Sequence, residues 1–243
     1  MDKDYSAYFE LEDRHWWYIG RRKIFMRLLE AHAPADRPLD VLDFGCGTGG
    51  FLEYLDHFGA VSAVEVDPDA VRFCHERGRD EVHEVSAGDP LPFPDDSFDL
   101  VTALDVIEHI EDDVGTLREL GRVMRVRGLA LIAVPAFEFL WGVQDEISHH
   151  HRRYTAKTLR VALTNTGFTI EHLSYFNTFL FPPIALLRMT RRLLGARPSG
   201  SDCEVGPQWS HRLLAPLFSA EARFVADRSL PFGVSLLALV QRN

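Results

Sequence analysis

The chain holds only three cysteines among its 243 residues, Cys46, Cys74 and Cys203. They are too few and too scattered for a disulfide framework, and no C-x-x-C pair suggests structural zinc. Positive charge is also scarce. Twenty-six lysines and arginines face 36 acids, for a formal net charge of −10, and no basic stripe or long Lys/Arg run occurs. That balance argues against a protein whose main task is binding nucleic acid, though not against one acting on a small molecule. No basic segment leads into an apolar core near Met1, so nothing points to export and the cytoplasm is the default location. No uninterrupted apolar run reaches membrane-spanning length. Internal repeats and low-complexity tracts are missing too. At 46% hydrophobic residues the chain is large enough for one well-packed domain with a cap.

What is present centres on Val41-Leu42-Asp43-Phe44-Gly45-Cys46-Gly47-Thr48-Gly49-Gly50. An apolar run with one carboxylate enters a glycine-rich turn, and a helix-like pattern, Phe51-Leu52-Glu53-Tyr54-Leu55, follows. Glycines let the backbone pass close beneath a ligand, and the helix offers its N-terminal N–H groups to an anion. With an acid about twenty residues on, this is the nucleoside-binding half of a doubly wound α/β fold. The turn also satisfies the loose dinucleotide pattern G-x-G-x-x-G. Asp43 decides between ligands: it would repel a pyrophosphate but attract an ammonium and a sulfonium. S-adenosylmethionine carries both cations. Asp43, Gly45, Cys46 and Gly47 are therefore expected at the cofactor.

The second strand ends in Glu65-Val66-Asp67-Pro68. Glu65 can accept hydrogen bonds from both ribose hydroxyls, with Val66 beside it; the plainer alternative makes Glu65 a solvated strand end and Asp67 the cap of a helix over 70–77. After the glycine turn, ribose binding is the preferred reading. Further strands are expected at 100–104, 130–134, 167–173 and 232–240, the last antiparallel, with helices over 114–126 and 155–166. Leu104 to His109 lie at a strand's C-terminal end, where ligands sit in such sheets.

The D-x-G-x-G-x-G turn, the segment Leu91-Pro92-Phe93 to Val101, the run Asp105-Val106-Ile107-Glu108-His109-Ile110 and Arg122-Val123-Met124-Arg125-Val126-Arg127-Gly128 resemble, in order and spacing, the motifs of class I S-adenosylmethionine-dependent methyltransferases. The resemblance spans roughly residues 38 to 135 and is nearest to the small-molecule and quinone-type O-methyltransferases. It implies a Rossmann-like, seven-stranded sheet with S-adenosylmethionine as cofactor. It also implies a polar contact to adenine just before Leu91. The spacing there is short, so Asp89 is the candidate, with Ser86 or Ala87 in its place if the loop is displaced. The family's Pro-Gly is replaced by Val126-Arg127.

The expected organisation is an N-terminal helical lid (1–35), a cofactor-binding core (36–175) with an acceptor loop (136–154), a helical cap insertion (176–230) and a final core strand (231–243). In the lid, Trp16, Trp17 and Arg21 lie beside one another. One tryptophan is expected to pack, while the other, or Arg21 holding the methionine carboxylate, reaches the ligand. The acceptor loop ends in His149-His150-His151-Arg152-Arg153-Tyr154. Three adjacent histidines cannot all point into one site, and His150 is the best placed. H-W-W near the start and L-W…D…H-x-R-R-Y-T here together resemble a bacterial methyltransferase family in which a histidine often stands at the position of Gln144, so no catalytic role carries over to that residue. In the cap, an apolar stretch over 179–194 and an amphipathic one over 208–226 flank a polar linker at 195–206. A helical cover over the acceptor cleft is the ordinary reading; a membrane-surface patch reaching a lipid-linked acceptor is the sharper one.

The expected reaction is methyl transfer to a small-molecule or lipid-linked acceptor, at oxygen. A hydroxyl acceptor needs a base near neutral pH, and His109 and His150 are the candidates. Asp105, Glu108 and His109, at i, i+3 and i+4, would share one helical face. In the polyprenyl-quinone enzymes the matching positions bind a divalent ion. A non-catalytic cofactor-binding partner and an NAD-dependent enzyme are the rival readings.

Overall fold

In the computed structural model, which describes residues 5–194 and 208–243, the N-terminal segment forms two helices, α1 (Tyr5–Leu11) and α2 (Trp16–His32). His15 caps α2 by accepting the Trp17 N–H at 3.3 Å. The first half of the sheet alternates with helices: β1 (Leu39–Phe44), α3 (Leu52–Leu55), β2 (Gly59–Glu65), α4 (Pro68–Glu76), β3 (Val82–Glu84) and β4 (Phe98–Leu104). Asp67 caps α4, accepting from the Asp69 N–H at 2.9 Å, with Pro68 at its first position. The second half runs α5 (Asp113–Val123), β5 (Met124–Pro135), α6 (Val143–Ile147), α7 (Ala156–Thr164), β6 (Phe168–Phe176), α8 (Phe181–Leu193), α9 (Gln208–Ser219), α10 (Ala222–Val225) and β7 (Ser235–Arg242).

The strands form one sheet in the order β3-β2-β1-β4-β5-β7-β6, parallel except that β7 runs antiparallel to both β5 and β6. The doubly wound, Rossmann-like fold with an antiparallel last strand is thus as expected. Successive residues of a strand face opposite sides, and the core divides accordingly. Leu42 packs with Leu117, Leu120, Leu159 and Leu163 of α5 and α7 on one side. Val41 packs with Ile24, Phe25, Leu28 and Leu29 of α2 on the other. All seven residues of β4 are buried, as suits a strand covered on both faces. None of the described helices is long and apolar enough to cross a membrane.

Three local outcomes differ from expectation. The helix expected over 114–126 stops at Val123, and β5 starts at Met124 rather than 130. The chain turns there because Phe98 pairs with Met124 before the register shifts to Leu100 and Leu129. Arg127, at φ +65°, takes the left-handed conformation that a glycine would supply. The last strand begins at Ser235, leaving Phe232 exposed in the preceding loop. Finally, α2 is more than a lid, because it supplies four residues to the core. The linker expected at 195–206 lies outside the described residues.

Candidate active site

Beyond the C-terminal ends of β2, β1, β4 and β5 lies a cavity of about 900 Å³. Its floor on the β1–β2 side is the glycine turn. Gly45 has φ +74°, and a Cβ there would stand 2.6 Å from a Val106 methyl. The turn is tied to β2 through Glu65, whose one carboxylate oxygen accepts the Gly47 N–H at 2.8 Å while the other accepts those of Val66 and Asp67 at 2.8 and 3.1 Å. Glu65, 7% exposed, is therefore no solvated strand end: it holds the turn and borders the cavity.

A second tie was not legible in the sequence. Glu12, just after α1, accepts from the Thr48 hydroxyl at 2.7 Å and from Arg77 at 3.1 Å. Arg77 also donates to the Thr48 and Phe9 carbonyls. Three elements distant in sequence thus lock α1 over the turn, and a side chain at Gly50 would collide with Glu12 at 2.2 Å. No local spacing announces such a contact.

Acids dominate this side. Asp43, 3% exposed, lies behind the cavity wall and accepts from the Thr102 hydroxyl at 2.6 Å. Burial pushes its pKa up to about 6, and neighbouring Glu65 and Glu12 add to the rise. Burial likewise raises Glu12 and Asp105. Arg21, over the Trp17 ring at 4.3 Å and hydrogen-bonded to Asp105, lowers all three but does not cancel the effect. Buried carboxyls that resist ionising favour a cation as guest and disfavour a pyrophosphate. Tyr5, whose pKa burial and the charges of Glu65 and Asp67 push above the usual phenol range, closes the same side from α1.

Toward β5 the chemistry changes. Asp145, fully buried at the N3 position of α6, accepts four hydrogen bonds: from the Gly142 N–H at 2.7 Å, from Arg153 at 2.7 and 2.9 Å, and from His150 Nδ1 at 2.8 Å. Burial alone would raise this carboxyl. The His150 and Arg153 bonds overcome it and hold Asp145 well below the usual carboxylate range. His150 Nε2 then points toward Glu108, 4.0 Å from its Oε1, and the His109 ring meets His150 edge to face at 4.5 Å. His149 and His151 are exposed, so one of the three adjacent imidazoles serves the site.

The expected face of Asp105, Glu108 and His109 does not form. Asp105 is left-handed at φ +61°, and Ile107–His109 is a single 3-10 turn, so Asp105 points to Arg21 instead. His150 takes its place: Glu108, His109 and His150 offer ligand atoms all within 4.8 Å of one another, a set that can hold a divalent ion.

Of the residues singled out from sequence, Arg21, Gly45, Cys46, Gly47, Glu65 and Val66 border the cavity, as do Asp89, Leu104, His109 and His150. Asp43 stands behind it. Gln144 borders it as well, donating to Ser148 and to the Tyr8 hydroxyl. The residues missed were Glu12, Thr48, Arg77, Asp145 and Arg153. The last two had a signal in the D-x4-H-x2-R spacing of 145–153.

The comparisons agree with this geometry. A family model described as a methyltransferase domain matches residues 16–173. A probable S-adenosylmethionine-dependent methyltransferase of Mycolicibacterium smegmatis is 31% identical, over 96% of this chain and 91% of its own length. One of Mycobacterium tuberculosis is 29% identical, over 96% and 86%. A solved S-adenosylmethionine-dependent methyltransferase of Archaeoglobus fulgidus shares the fold at a TM-score of 0.57 and 19% identity, over 97% of this chain and 99% of that one. The chain belongs to the class I methyltransferase family, whose cofactor is S-adenosylmethionine.

Proposed function

We propose that the enzyme methylates an oxygen atom of a small-molecule or lipid-linked acceptor, with His150 as the base. The cofactor supplies an electrophilic methyl group on a positively charged sulfur. The residues present fit it: the open glycine turn and Glu65 suit a ribose, Asp89 or Ser86 the adenine, and the acidic side formed by Asp43, Glu12 and Asp105 suits its cations. As the new C–O bond forms and the C–S bond breaks, the acceptor's proton must leave. The observation that carries the reading is the Asp145–His150 pair. Asp145 takes the Nδ1–H, which fixes the tautomer and leaves the Nε2 lone pair facing the cavity. Arg153 keeps Asp145 ionised and in place. The remaining work is alignment and exclusion of water.

The test is transfer of labelled methyl to phenol, sugar and lipid-glycan acceptors, compared between the natural chain and His150→Gln. Turnover is expected to fall about 10²- to 10⁴-fold with S-adenosylmethionine binding heat retained. Binding without turnover on any acceptor would favour a non-catalytic partner, and tight binding of a nicotinamide cofactor instead would overturn the reading. A second reading follows from the Glu108–His109–His150 set: a divalent ion held there would orient the acceptor oxygen. In that case chelation abolishes turnover and magnesium restores it. EDTA-insensitive turnover leaves His150 as a base.

A further inference from the structure

We infer that the face built by α8 and the phenylalanines around it docks on an anionic lipid bilayer, so that the cavity beneath opens toward the membrane surface. The inference rests on the reading of that cavity as an acceptor site. It starts from charge. Between Glu171 and Glu221 the sequence carries five arginines against two acids, Asp202 and Glu204, in a chain with 36 acids and 26 basic residues, and α8 itself has no Asp or Glu. Among the described residues these arginines are Arg188, Arg191, Arg192 and Arg212. A protein of net charge −10 has set aside one region that an anionic surface attracts.

Apolar exposure coincides with it. Ala185 is the only buried residue of α8. One side of that helix, with Ile184, Leu187, Arg188 and Arg191, borders the cavity. Leu186, Met189 and Leu193, at i, i+3 and i+7, occupy another side and are 68%, 51% and 83% exposed. Leu213 and Leu217 of α9 are exposed as well. At the start of α8 the Phe181 ring meets those of Phe139 and Phe232, while Phe179 meets Phe224, and the four partners other than Phe181 are all exposed. Leucines beside arginines on α8, with no carboxylate between Phe181 and Leu193, are the composition of an interfacial helix. A second copy of the chain is the less suitable occupant, because a two-fold contact through this face would bring its arginines against their own images.

The experiment is co-sedimentation of the full chain with vesicles of phosphatidylcholine alone and of phosphatidylcholine mixed with phosphatidylglycerol, at low and high salt. Binding is expected to the anionic vesicles at low salt and to weaken with salt. Arg192→Glu and, separately, the double variant Leu186→Ser/Leu193→Ser are each expected to weaken it about tenfold or more. None of these residues borders the cavity, so calorimetric binding of S-adenosylmethionine should be unchanged and reports that the variants are folded. No sedimentation with anionic vesicles at low salt, or binding indifferent to both variants, overturns the inference. Self-association of the chain that Leu193→Ser abolishes, without vesicle binding, overturns it in favour of a dimer. Vesicle binding by a protein that takes up no S-adenosylmethionine would instead overturn the proposed reaction and leave the docking surface standing.

Discussion

Asp43 and Asp145 are both buried carboxyls serving one cavity, yet the protein treats them oppositely. Asp43 has one short hydrogen bond, from Thr102, and is pushed up to about 6. Asp145 has four, two of them from Arg153, and is held well below its ordinary range. Asp145 is therefore satisfied within the protein and held in place before any ligand arrives. The side around Asp43, Glu12 and Asp105 is left short of positive charge, and a cationic ligand would complete it. Preorganisation and unmet charge are two different ways of spending buried acids, and they have opposite consequences for stability.

The comparison is broken most sharply at Asp145. Asp145→Asn removes the negative partner of a buried arginine, which is expected to cost about 3–5 kcal/mol. Thermal unfolding should show a fall of roughly 10 °C in Tm, with turnover lost as His150 loses its orientation. An unchanged Tm would mean the network is ornamental. Asp43→Asn should do the reverse to stability. A rise from 3.8 to about 6 means the folded state resists this charge, at a cost of about 3 kcal/mol when Asp43 is ionised. The amide keeps the Thr102 acceptor, so the ligand-free protein should melt higher, while affinity for S-adenosylmethionine falls tenfold or more.

The smallest effect is the pH dependence, and the two acids differ in sign. The raised Asp43 disfavours the fold above pH 6, and that penalty is relieved as pH falls from about 6 toward 3.8. The lowered Asp145 stabilises the fold above its unfolded value of 3.8 and loses that contribution only in stronger acid. Calorimetry should accordingly find S-adenosylmethionine binding weakening by up to tenfold per pH unit below about 6, with the fold intact. The neutral-sulfur product should weaken less. Equal pH dependence for both compounds would place the controlling acid elsewhere.

The glycine-turn side of the cavity was largely readable in the sequence because its signals are local. The glycine turn, the acid ending β2 and the Asp67-Pro68 cap each lie within a few residues of what they determine. The acceptor side was readable only in part. His150 stood out as an imidazole, but its partnership with Asp145 depends on His149 turning left-handed at φ +55°, which carries the His150 N–H back to the Asp145 carbonyl. The i, i+3, i+4 argument for Asp105 failed for a related reason. A left-handed residue resets the direction of the chain, and helical spacing no longer says where its side chain goes. The contacts of Glu12 with Thr48 and Arg77 join positions up to 65 residues apart, beyond the reach of any periodicity.

Gly20 deserves a last consequence. It lies beside Arg21 on α2, and a methyl group on it would fall 2.1 Å from the Phe218 ring of α9. Two helices that wall the cavity, α2 with Arg21 and α9 with Leu214, are thus pinned together at a point with no spare width. An alanine there would wedge the two helices apart and shift Arg21 along with them, so extra room gained on this side of the cavity comes at the expense of the Arg21–Asp105 contact.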